Sequence, residues 1–348
     1  MMPEEWPIAA PVADGTAGTR LADRGRLSTA RRDFFLDPAK RLSEQERALM
    51  TAMLHSLVGH VADAVRAALP NGRVAANDEG DAALIATLTA SGLLDEPGLM
   101  ALLLRRADEE RIASAARARS GRHEARALQG LVSHDYGAVA AAAMALVLGR
   151  GRRRNRFGQS LIAFDDLAAS SAEAMVYAVA AGLRRELTAS RGIAAADAEL
   201  ADAADAVLEN RDDERGIDAL TAALVHFLDE AGGLTDELIL ATASEGEIAF
   251  VADVLARRAG VPSESALEEL MSGETGHVMA LFRAAGISRE LCAGLLAGIG
   301  DLLGIADAGD AIEHFDHMPD PEVEAARSWM MTDPAYRTAL HRLGQVRG

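Results

Sequence analysis

Only one cysteine, Cys292, stands in 348 residues, so no disulfide can form within the chain, and a lone thiol on an apolar stretch reads as a small core residue. Aromatic residues are scarce at 4%, against 49% apolar overall. A core must therefore be built from Ala, Leu, Val, Ile and Met, a composition that suits close helix packing and not a β-sandwich. Alternating apolar and polar runs are absent, and Val, Ile and Tyr never cluster between turns, so no strand is predicted. No G-x-S-x-G occurs, which removes the strained nucleophile elbow of a serine hydrolase. The opening MMPEEWPIAAPVADG carries Pro3, Glu4 and Glu5 where a signal peptide needs a basic start and an apolar run. No stretch is read as reaching membrane-spanning length, and AVAAAAMALVL (138–148) and LCAGLLAGIGDLLGI (291–305) are expected to be buried helices. The expectation is a soluble, cytoplasmic protein without a membrane partner.

Positive charge is also in deficit, with a formal net charge of -18. Residues 201–287 hold 18 acids and 5 arginines, whereas 62–148 hold 11 acids and 9 arginines. An acidic field repels phosphate backbones, so general nucleic-acid binding is disfavoured unless a local basic patch overrides it.

What the chain does contain is a recurrence. Leu99–Leu148 aligns without a gap on Leu238–Ile287, 139 residues later, with twelve of fifty columns identical, among them Leu99/Leu238, Gly121/Gly260, Leu131/Leu270 and Gly137/Gly276. Roughly four or five identities would arise by chance in so Ala-rich a chain. Upstream, ADAVRAALPN (62–71) meets ADAADAVLEN (201–210) at the same shift. Segments 82–94 match at a shift of 140, a one-residue slip at a turn, where length change is cheap. Half the chain is thus read as a copy of the other half.

Ser43-Glu44-Gln45-Glu46 has the form of a capping box, and Leu49, Met53, Leu57, Val61 and Val65 then recur every four residues on one face. Further helix starts are expected at Ser170 with Glu173, Ser244 with Glu247, Asp320-Pro321 and Asp333-Pro334. Gly260-Val261-Pro262 reads as a stop, and Gly121 and Gly149 as stops in the first half. Helical stops every 26 to 28 residues are what stacked helix pairs produce. The fold read from this is all-α, a right-handed α-α superhelix or solenoid of helix pairs in two duplicated halves. The expected divisions are a flexible N-terminal tail at 1–38, with Arg20, Arg24, Arg26, Arg31 and Arg32 as a short basic tether. A first half at 39–149, an Arg-rich connector at 150–160 and a second half at 161–348 follow.

RLSEQERALMTAMLHSLVGHVADAVRAAL (41–69), TASGLLDEPGLMALLLRRADEERI (89–112) and GGLTDELILATASEGEIAFVADVLARRAGVPSESALEELM (232–271) resemble an uncharacterised bacterial family, the domain-of-unknown-function family 2336. The resemblance covers about 40–340 and implies HEAT-type helical repeats; it brings no catalytic or binding residues with it.

Arg150, Arg152, Arg153, Arg154 and Arg156 in GRGRRRNRFG are the one dense positive cluster. Five guanidinium groups on a Gly-flanked loop could grip phosphate, a carboxylate-rich partner or nucleic acid; the alternative is a solvated interdomain loop. Glu313, His314, Asp316 and His317 could share a helix face around a metal, but no further ligand stands at a supporting spacing, and the pair is read as surface histidines near a helix end, without a metal. His55 and His60 point in different directions, and His134-Asp135 is placed at a helix start. Glycines 294, 298, 300 and 304 lack the preceding strand of a nucleotide loop and read as close helix contacts. Asp212-Asp213-Glu214 reads as a helix start or exposed turn. No cofactor, metal or catalytic residue is assigned. The functional expectation is a non-catalytic scaffold or adaptor that holds another protein or a peptide helix in a helical-repeat groove, with the five arginines as the candidate partner-binding residues. The alternatives are a soluble enzyme or small-ligand sensor with an unrecognised site, or nucleic-acid binding through the connector.

Overall fold

Ser43 opens the first described helix by satisfying two otherwise orphaned donors: its Oγ accepts from the Glu46 amide at 3.3 Å, and Glu46 Oε2 accepts from the Ser43 amide at 3.3 Å. This is α1 (Glu44–Ala68). The computed structural model describes residues 43–70, 78–121, 126–156 and 158–343, so the expected tail at 1–38 lies outside the described residues. After α1 come α2 (Asp78–Ala90), α3 (Pro97–Ser120), the single turn α4 (Ala127–Gly130), α5 (Gly137–Arg152), α6 (Ala169–Arg191), α7 (Ile193–Glu209) and α8 (Ile217–Glu230). The chain continues with α9 (Asp236–Ser244), α10 (Ile248–Ala259), α11 (Ser263–Leu270), α12 (Thr275–Ala284), α13 (Arg289–Ile299), α14 (Ala308–His317), α15 (Asp320–Met330) and α16 (Pro334–Arg342). The architecture is all-helical; among the described residues the one extended pairing is an isolated antiparallel bridge between Arg154 and Ser160.

Two apolar cores result. One gathers α1, α2, the first half of α3, α6 and α7 around Met53, Leu57, Leu103, Val176, Leu183 and Ala204. The other gathers α5 and α8–α15 around Leu146, Leu224, Phe250, Leu255, Leu281 and Leu295. Elements from both sides of the 150–160 connector enter each core: α6 and α7 pack on α1, and α5 packs on α8. Helix α3 serves both, burying Leu99 to Ala107 in the first and Ile112 in the second. Cys292 is fully buried in the second core beside Met279, and burial pushes its thiol up to about 11, so it is held as an unreactive thiol.

Several boundaries fall as the sequence expects. Gly121 and Gly260 close α3 and α10 in the left-handed conformation. Asp333 caps α16, accepting from the Ala335 and Tyr336 amides. Asp212 caps a short 3-10 turn. Others are corrected. Ser170 lies inside the first turn of α6, whose preceding residue is Ala168. Ser244 ends α9 and does not start a helix. The helix at Asp320 begins one residue early, after Pro319. Gly149 is not a stop, because α5 runs on to Arg152 with Gly149 packed against Leu220. By length and composition α1 could cross a membrane, against the reading that nothing reaches that length; here it packs on α3, α6 and α7 through Met50, Leu54, Leu57, Val61 and Val65.

Gly246, in the turn between α9 and α10, has φ +76°, and a Cβ there would lie 2.6 Å from the Ala113 Cα of α3. Both the left-handed backbone and the helix contact exclude a side chain. Gly246→Ala should lower unfolding free energy by about 2 kcal/mol or more, measured by urea denaturation. An unchanged midpoint would mean that the turn does not seat on α3.

Candidate functional site

Helix α5 is Ala-rich and apolar almost all round, but among the described residues only one side is covered. Val139, Ala142, Ala143 and Leu146 are buried towards α8. On the other side Met144 is 43% and Leu148 53% exposed, and Tyr136, just before the helix, is 46% exposed. The run 138–148 is therefore not the fully buried helix that its composition predicts. The run at 291–305 is largely buried, as α13 followed by a 3-10 turn: Leu291, Leu295, Leu296, Ile299, Leu303 and Ile305 are buried, Gly294 faces Leu240 closely, and Ala297 and Asp301 are exposed.

The five connector arginines do not form one patch. Arg152, Arg154 and Arg156 are exposed, while Arg153 is buried and Arg150 half-buried. Arg153 forks onto Asp166, with Nε to Oδ2 at 2.8 Å and Nη2 to Oδ1 at 2.7 Å. Its remaining donors reach the Gly149 carbonyl at 3.0 Å and the Arg215 carbonyl at 2.9 Å. Asp166 also accepts from the amides of Ala163 and Ile217, both at 2.8 Å, and so caps α8. Beyond α5 the connector folds back in a tight turn, with Leu161 N donating to Arg153 O at 2.8 Å and Asn155 N to Gln159 O at 3.0 Å.

Beneath this turn, where α3, α5, α8 and the start of α10 meet, lies a cleft of about 150 Å³ lined by Arg106, Glu110, Arg117, Arg150, Ser160 and Glu247, with Arg154 at its edge. Arg150 Nη2 meets Glu247 Oε2 at 2.6 Å. Glu110 accepts from Arg117, from Ser114 at 3.1 Å and from Ser160 at 2.5 Å; burial pushes its carboxyl up, but these donors outweigh it and hold it below the ordinary range. Arg106 donates to Glu109 at 2.6 Å and to Asp218 at 2.7 Å, and Arg105 donates to Asp218 at 2.5 Å. Burial would weaken the Arg106 cation, yet Glu109 and Asp218 shift it above its usual value. Burial likewise acts upward on Asp218, and the two arginines bring it down to about 2. Asp253 of α10, buried with Asp218 and Glu109 nearby, is pushed up to about 6, burial being the largest cause.

Sequence reasoning missed Asp166, Asp218, Glu245 and Asp253. Glu245 is buried and caps α4, accepting from the Arg126 and Ala127 amides at 3.0 Å each. Arg105-Arg106 followed by Glu109-Glu110 is the one local signal that spacing offers, since pairs three and four apart share a helix face. The histidine cluster is dispersed into other bonds: Asp316 accepts from Arg289 at 2.9 Å, and His317 Nδ1 lies 2.8 Å from the Glu313 carbonyl oxygen. His134 Nδ1 accepts from the Tyr136 amide at 3.1 Å, ahead of α5 as expected. Among the described residues no group of three or more His, Cys, Asp or Glu is placed to hold a metal ion.

Residues 85–322, from within α2 to within α15, match a family described as an uncharacterised protein conserved in bacteria (DUF2336). The chain belongs to that family. The matched span contains α3, the connector and every cleft-lining residue but Met53 of α1, and leaves α1 and α16 outside. No curated protein and no solved structure matches the chain.

Two outcomes follow from the ion pairs. Arg153→Met leaves the Asp166 carboxylate, 1% exposed, without its cation, and should cost about 3–5 kcal/mol in chemical denaturation, with Arg153→Lys intermediate because an ammonium cannot fork. Wild-type stability in Arg153→Met would remove the pair from any structural role. For Asp253, the folded pKa stands above the unfolded one, so the native state loses stability as pH rises from about 4 to about 6 and stays lower above that. Asp253→Asn should therefore be more stable than wild type at pH 8, by on the order of 2 kcal/mol. That gain should fade below pH 6 and vanish near pH 4; a gain independent of pH would contradict the assignment.

Proposed function

We propose that this protein is a non-catalytic adaptor that holds another protein, and that the uncovered face of α5 with the exposed connector arginines is where the partner sits. The observation that carries the reading is one line on α5: Met144, Leu148 and Arg152 follow at four-residue intervals, all exposed, and Arg154 and Arg156 continue beyond the helix end. An apolar stripe running into positive charge fits an amphipathic partner helix with acidic residues at one end. Uncovered Met and Leu side chains one turn apart on a helix whose other side is core are the kind of patch that marks an interaction surface. The protein's own charge of -18 makes an arginine cluster conspicuous against its surroundings and favours encounter with an acidic partner from that side.

The same reading takes the chain as two copies of one helical-repeat module stacked as a solenoid, acting in the cytoplasm. In support, α3 and α10 end in left-handed glycines 139 residues apart, and α5 and α12 begin at Gly137 and Thr275. The copies would have diverged where α3 is continuous and its counterpart is split into α9 and α10 at Gly246.

Met144→Glu combined with Leu148→Glu should abolish partner recovery in crosslinked affinity purification from the native cell, a loss of about 10-fold or more, with the melting temperature preserved. Arg152→Ala/Arg154→Ala/Arg156→Ala should weaken capture and flatten its salt dependence. Undiminished recovery of the same partner by the folded glutamate variant would refute the α5 site.

A further inference from the structure

We propose that the cleft under the connector binds the oxyanion group, phosphate or carboxylate, of a small ligand, with Arg150 and Arg154 as its donors. The case is an accounting of which guanidinium donors lining the cleft the protein itself engages and which it leaves to solvent or a ligand. Arg106 and Arg153 are consumed by Glu109, Asp218 and Asp166. Glu110 is saturated by three side-chain donors. Glu109 Oε1 makes no hydrogen bond, but it is closed off from solvent and lies 4.0 Å from Arg105 Nε, so nothing in the cleft reaches it. The surplus is on the donor side. Arg150 is bonded only through Nη2 to Glu247, which leaves Nε and Nη1 without a partner among the described residues. Arg154 donates only through Nη1, to the Gly158 carbonyl at 2.9 Å. Two guanidinium groups with donors to spare at one cleft suit an acceptor-rich anion.

The geometry suits a small group. A volume of about 150 Å³ is room for a phosphate or a short carboxylate-bearing molecule and not for a peptide helix. Arginine meets both chemistries with the same planar fork. Ser160 Oγ, which donates to Glu110, keeps lone pairs for a ligand hydroxyl or a protonated phosphate oxygen. The site goes beyond the adaptor role: it shares Arg154 with the partner face, whereas Met144 and Leu148 are not among the cleft's lining residues.

Isothermal titration calorimetry and thermal shift on the full chain, with inorganic phosphate and with citrate against chloride at equal ionic strength, provide the test. Saturable binding of phosphate alone, of citrate alone or of both supports the site and identifies the source of the oxyanion. Arg150→Ala should weaken that binding about 10-fold or more. Ala249→Met, which fills the cleft from α10 without changing any charge, should abolish it, and Met144→Glu/Leu148→Glu should leave it intact. No binding of either anion beyond chloride overturns the proposal. So does binding that survives both Arg150→Ala and Ala249→Met, since the anion would then sit elsewhere.

Discussion

The carboxylate of Asp166 is the point on which the arrangement turns. One buried side chain accepts from the Arg153 guanidinium at the end of α5, from the Ala163 amide in its own turn and from the Ile217 amide at the head of α8. A buried carboxylate is tolerated only when its lone pairs are filled, and here two backbone donors and a forked arginine fill them. The consequence is geometric. The chain leaves α5, folds through the connector and later returns as α8, and a single group fixes all three against one another. The connector is thereby held over the cleft as a roof, with its exposed arginines at fixed positions and not on a loose loop.

The second constraint is steric. Helix α3 passes from one core into the other, and the turn at Gly246 closes on it at backbone contact. Polar groups follow the same seam: Arg105 and Arg106 cross from α3 to Asp218 on α8, and Glu245 crosses to cap α4. Ion pairs that bridge packed elements add little to net stability after desolvation, yet removing one partner is costly, so they specify register more than they strengthen it. The seam is where a one-turn slip between the cores would strand several charges at once.

Much of the fold was legible because it rests on local rules. The capping box at Ser43, the left-handed stops at Gly121 and Gly260 and the cap at Asp333 each involve residues a few positions apart, and each is present. The misplaced starts at Ser170 and Ser244 show the limit: a capping residue and an acid three positions on are necessary chemistry, but α6 begins without any side-chain cap and α9 ends where a start was read. The site was less legible still. Five arginines in seven positions announce a positive cluster, but their fates depend on Asp166, Glu247 and Gly158, and only the last of these is close in sequence. Spacing alone could not separate the arginine that holds the fold from those left for something else.

The apolar runs at 138–148 and 291–305 carry that point to function. Both are rich in Ala and Leu, and composition alone assigns both to the interior. Neighbours decide otherwise: α13 is covered by α9 and α14, whereas α5 is covered along the side that faces α8 and the turn before it. An apolar helix exposed on one side loses the transfer free energy of its uncovered side chains, about 25 cal/mol per Å² of apolar surface, and nothing in the described structure recovers it. On α7, by contrast, exposed positions carry polar residues, with Asp202, Asp205 and Glu209 facing solvent. In the adaptor proposal, the Met and Leu on α5 are a cost that a bound partner would recover, next to arginines whose field would draw that partner in.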